Sequence, residues 1–170
     1  MAAIFKRETK SYYTGMVGYV TAAVSLFFLG LYFTNRNLMY ASSDFASVLY
    51  TTTLIMLFLL PAISMRSFAE DRRNKTDQLL LTSPVSIPGI VLGKFFAMAA
   101  VFALPCAVDA VMIFILWALG GTVSALLANL AGLLCYFLLG CAAIALCEFL
   151  SGLTENQIIA AVAGFSALLL

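Results

Sequence analysis

The chain has 170 residues, of which 64% are hydrophobic and 10% charged. A soluble domain carries roughly 25% charge to clothe its surface, and a disordered chain is poor in apolar residues, so both classes are excluded and a multi-spanning membrane protein remains. The formal net charge of +1 says little, because in membrane proteins the placement of charge outweighs its sum.

The first segment, residues 1–14, places Met1, Ile4, Phe5 and Tyr12 within one arc of a helical wheel, interrupted by Glu8, with Lys6, Arg7 and Lys10 on the opposite arc. That pattern suits an interfacial entry helix, and equally a plain basic flank to a membrane span. The run that follows, about Gly15 to Thr34, is too long for the apolar part of a signal peptide and lacks a small-residue cleavage pattern, so it reads as a retained first span. Further apolar runs cover about Phe45–Met65, Ile90–Leu119 (containing Pro105) and Ala125–Leu150. A fifth begins near Asn156 and is still apolar at Leu170. A hydrocarbon core of ~30 Å needs about 20 helical residues, so the fifth run reads as a span cut short. The runs are continuous rather than alternating, which excludes a membrane barrel. The expected fold is all-α, a polytopic helical membrane protein forming a single domain over 1–170, with five spans visible.

Eight of the nine lysines and arginines fall on one side of this arrangement and only Arg36 on the other. By the positive-inside rule the N-terminus and the 66–89 segment are cytoplasmic. At the joint between the last two spans, Gly152 suits a helix end, and Thr154 with Gln157 has capping-box spacing.

Chemistry concentrates in residues 66–77, where seven of 12 residues are charged. Ser67 and Glu70 have capping-box spacing, Asp71 and Lys75 form an i,i+4 pair, and Pro84 stops any helix. Glu70, Arg73 and Asp77 share one face, with Phe68 and Leu79 nearly opposite, as in a short amphipathic helix under the membrane. Such a segment is either a solvated loop with ordinary topology charges or a docking helix. Acidic residues contribute little to topology, so Glu70, Asp71 and Asp77 point to a partner with complementary charge.

Two carboxylates lie inside apolar runs. Asp109 is a candidate to line a pathway or a subunit interface, or to approach the outer headgroups. Glu148 and Lys94 are expected to reach toward the membrane surface from the ends of their spans. The chain has no histidine, and Cys135, Cys141 and Cys147, spaced every six residues, point in different directions on a helix. No catalytic, cofactor-binding or metal site is therefore expected. Gly89–Lys94 fails as a phosphate loop, having three residues rather than four between its glycines and Phe95 after the lysine.

The stretch MRSFAEDRRNKTDQLLLTSPVSIPGIVLGKF resembles the segment between spans two and three of ABC-2 type transporter permeases, and more narrowly the gliding-motility-associated group. Arg66, Ala69, Glu70, Arg73, Thr76, Leu79, Leu80, Leu81, Thr82, Pro84, Val85, Ser86, Gly93 and Lys94 match the family pattern, while Asp71 and Asp77 replace its usual glutamates. The N-terminal FKRETKSYYTGMVGYV and the turn at 153–157 carry the likeness to both ends. The resemblance implies a six-span permease of the prokaryotic cytoplasmic (inner) membrane, an exporter subunit that is not itself an enzyme. It implies a second permease subunit in a homo- or heterodimer, and a cytosolic ATPase that holds ATP and magnesium. Residues 66–89 would be the coupling segment, with Glu70, Asp71, Arg72, Arg73, Lys75, Thr76 and Asp77 docking in the ATPase. Its push would tilt the spans about Pro61 and Pro105. The rival reading is a secondary transporter or channel with no ATPase, which usually carries several ionisable groups at the midplane, where only Asp109 qualifies here.

Overall fold

The computed structural model describes residues 2–40, 42–64, 87–154 and 156–169, and among these every regular element is a helix. They are α1 (Ala2–Thr14), α2 (Met16–Phe33), a π-helical turn (Thr34–Leu38) that prolongs α2, α3 (Ala46–Ser64), α4 (Ile87–Ala118), α5 (Val123–Leu153) and α6 (Gln157–Leu169). Four helical stretches, Gly18–Leu38, Ala46–Ser64, Pro88–Ala118 and Val123–Leu153, are long and apolar enough to cross a membrane. The fifth apolar run forms the 13-residue α6. At 1.5 Å per residue it is about 20 Å long, against a hydrocarbon core of ~30 Å. The protein is a polytopic helical membrane protein, as its composition requires.

The chain turns sharply between α1 and α2. Gly15 is extended (φ −84°, ψ 154°), and its N–H closes α1 on the Ser11 carbonyl at 2.9 Å. Gly18 sits against the Tyr12 backbone, where any β-carbon would run into the Tyr12 carbonyl oxygen, so the elbow depends on a residue without a side chain. In α3 the run Thr51-Thr52-Thr53 stays helical despite its β-branching. Each hydroxyl bonds back to the carbonyl four residues earlier (Ser47, Val48 and Leu49), which hides its polarity from lipid.

Residues 39–45 and 119–122 are too few to recross the bundle. α2 and α3 therefore run antiparallel, as do α4 and α5. This gathers the α1–α2 elbow, the end of α3, the start of α4 and the end of α5 at one end. α5 packs against α3, α4 and α6, while α1 lies on α4 and α2. The core joins Leu29 and Phe33 of α2, Val48, Met56 and Leu60 of α3, Met98, Phe102 and Ile113 of α4, and Tyr136 and Ile144 of α5. Phe102 stacks on Phe137 (centroids 5.9 Å apart, planes 5° apart) and presses its ring onto the bare backbone of Gly140. Phe27, Phe58, Leu134, Phe149 and Ile158 project outward. In water such a surface would drive aggregation, whereas in a bilayer it is the solvated face.

At the opposite end two asparagines hold the α2–α3 loop. Asn37 donates through Nδ2 to the carbonyls of Ser42 (2.8 Å) and Asp44 (2.9 Å). Asn129 of α5 accepts from the Phe45 N–H at 3.1 Å and donates to the Ser43 carbonyl at 2.9 Å. The joint between α5 and α6 corrects the sequence expectation. Gly152 lies inside α5, Thr154 is the extended residue that ends it, and the N-terminus of α6 is capped by Asn156, whose Oδ1 accepts from the Ile158 N–H at 3.0 Å. An Asn two residues after the Thr competes for the same role, and the longer α5 leaves Thr154 too early to fill it.

Candidate functional site

The proposed docking residues Glu70, Asp71, Arg72, Arg73, Lys75, Thr76 and Asp77 lie outside the described residues. What is described is how the chain enters and leaves that stretch. On the entry side, Pro61 sits inside α3 and has no N–H to donate to the preceding turn. Ser64, 1% exposed, donates to the Leu60 carbonyl at 2.8 Å and lies near Cys147 of α5. Gly164 of α6 completes this corner. A β-carbon there would lie 3.2 Å from the Cys147 sulfur and 3.4 Å from Pro61 Cβ, so α3, α5 and α6 are in close contact.

On the exit side, Lys94 lies two turns into α4. It was expected to reach the membrane surface and does not: it is 2% exposed, and its Nζ stands 3.8 Å from Glu8 Oε1 of α1. Glu148 of α5, expected to reach the surface too, is 4% exposed and lies within the electrostatic reach of the same ammonium. Glu8 does not interrupt the apolar arc of α1. With buried Ile4 and Tyr12 it forms an i, i+4, i+8 stripe turned toward the bundle, while Lys6, Arg7 and Lys10 are exposed. Arg7 holds the outer side of Glu8 Oε1 at 2.6 Å. Opposite charges on three different helices thus lie close together, where a buried charge with no partner would cost several kcal/mol. The signal was present in the sequence as one basic and one acidic residue at matching depth in neighbouring spans, with a lone acid on the greasy face of α1.

Asp109 occupies the other half of α4, nine residues before its end at Ala118, or ~14 Å along the axis. It is 3% exposed and acts electrostatically on Cys106 of its own helix and Tyr136 of α5, and its Oδ1 has no hydrogen-bond partner. All four cysteines are free, with Cys106 and Cys147 buried and Cys135 exposed. Among the described residues no three His, Cys, Asp or Glu side chains gather to hold a metal ion.

A family model described as ABC-2 family transporter protein matches residues 6–170. Comparison with curated proteins and with solved structures found no match to either.

Proposed function

The chain belongs to the ABC-2 family of transporter proteins, and from that premise we propose that it is the permease subunit of an ATP-binding-cassette exporter in a prokaryotic inner membrane. The observation that carries this reading is the family match over 6–170, which takes in the four membrane-spanning helices of the described residues and the charged segment between α3 and α4. In this reading ATP and magnesium are held by a cytosolic ATPase rather than by residues 1–170, which contain no phosphate-binding loop. A second permease subunit, identical or related, completes the membrane part. The likeness of the 65–95 stretch to gliding-motility-associated permeases supports a place in that narrower group.

In this reading residues 66–89 face the cytoplasm and dock on the ATPase through Glu70, Asp71, Arg72, Arg73, Lys75, Thr76 and Asp77. Mixed charge of both signs suits a partner surface of complementary charge. Asp109 is covered by its own chain in this structure, so it would line a pathway only when the spans move apart. The docking claim is tested by combined charge reversal, E70K, R73E and D77K. Co-purification with the ATPase should fall at least tenfold while membrane insertion is unchanged. Binding at the wild-type level would refute it.

A further inference from the structure

Both flanks of residues 65–86 meet α5, at consecutive positions. Ser64, at the end of α3, lies in the corner with Cys147, and Lys94, near the start of α4, lies within the electrostatic reach of Glu148, whose Oε1 has no hydrogen-bond partner. Successive helical residues point about 100° apart. Cys147 is therefore turned to α3 and α6 while Glu148 is turned to α4, and both are buried. The second of these reaches further than the first, because Lys94 also meets Glu8 and so includes α1.

We propose that Lys94 is a positioning residue whose ammonium, set between Glu8 and Glu148, locks α1, α4 and α5 into one unit where residues 65–86 emerge, so that a push on that segment moves the three helices together. The chemistry favours lysine here. An ammonium is a compact charge with three donors that serves carboxylates arriving from two directions, whereas a planar guanidinium favours one bidentate partner. Buried ionic groups of this kind set the register between elements more than they add stability. Glu8 is held on its outer side by the exposed Arg7, so the entry helix is tied to the bundle through the inner contact with Lys94. A segment whose flanks were held by apolar contacts alone could slide over its neighbours, whereas Lys94 ties the start of α4 to α1 by charge.

The inference rests on the permease reading for its consequence and not for its geometry, so the experiment has two readouts. Spin labels are placed on the exposed face of α1 at Lys10 and on the exposed end of α5 at Leu153, in protein whose native cysteines are replaced by serine. The distance distribution should be narrow in the otherwise unaltered chain and at least twice as broad in K94M. In the reconstituted permease–ATPase complex, K94M should lower transport per ATP hydrolysed about tenfold at an unchanged amount of assembled complex. Should K94M not accumulate, E8Q replaces it, since it releases α1 while leaving Glu148 to Lys94. An unbroadened distance distribution overturns the proposal whatever transport does. Broadening with full coupling overturns the transmission role. Failure of the unaltered chain to bind any ATPase refutes the permease reading, and the distance measurement still judges the lock.

Discussion

Asn129→Ala should be the most costly single change at the loop end of the bundle. The carboxamide accepts from the N–H of Phe45, a residue with no exposed surface, and donates to the carbonyl of Ser43, which is exposed. Truncation leaves the two groups in different circumstances. Water reaches the Ser43 carbonyl and repairs most of its loss, but nothing replaces the acceptor at Phe45, and an unpaired buried donor costs about 1–3 kcal/mol. Hydrogen bonds between membrane helices average only ~0.6 kcal/mol, because unfolded helices in the bilayer find other partners. That discount is smaller here, since the donor is a loop backbone group covered by Phe33 and α5 only in the folded state. We expect a loss of about 2 kcal/mol, roughly thirtyfold in the unfolding equilibrium. Asn37→Ala removes donors to the Ser42 and Asp44 carbonyls, neither residue being buried, and also removes an Oδ1 that has no partner. Its loss should be ~0.5–1 kcal/mol. The two asparagines pin one loop, so the double variant should cost less than the sum. Titration of micellar protein with a denaturing detergent, followed by far-UV circular dichroism, measures all three. An Asn129→Ala loss below about 0.5 kcal/mol, or a larger loss at Asn37, would refute the reasoning.

Gly140→Ala drives a methyl group into the Phe102 ring, which is already confined by Phe137 and by Tyr136 at 5.7 Å. It should destabilise the bundle by about 1–3 kcal/mol, and adding Phe102→Leu should recover part of this in a thermal-shift assay. Asp109→Asn keeps the side chain's shape and removes a charge from a buried site with an unpartnered oxygen. The melting temperature should hold or rise, while substrate turnover in the reconstituted transporter falls at least tenfold. Unchanged turnover would remove Asp109 from the pathway.

The spans were legible because lipid leaves the backbone so few choices. A continuous apolar run of sufficient length must be helical, and the structure shifts the limits of the second, third and fourth runs by only a few residues. The cap of α6 was not legible, because Thr154 and Asn156 are both good caps and the choice rests on how far α5 continues. The charges inside the spans show the same limit. Lys94 near a membrane surface has a stem long enough to reach water, and Glu148 near the same surface has that choice as well. Sequence position fixes the depth of each and says nothing of the azimuth. Had α4 been rotated by half a turn, Lys94 would face lipid and reach outward, and a like rotation of α5 would do the same for Glu148. Packing of α1 and α5 on α4 removes that option, because the same rotation that buries Phe102 and Met98 also carries Lys94 inward, one helical turn before Met98. The ion pairs therefore follow from the apolar packing rather than causing it. On the reading proposed above, they restrict how the helices move once packed, next to the charged segment at 66–77.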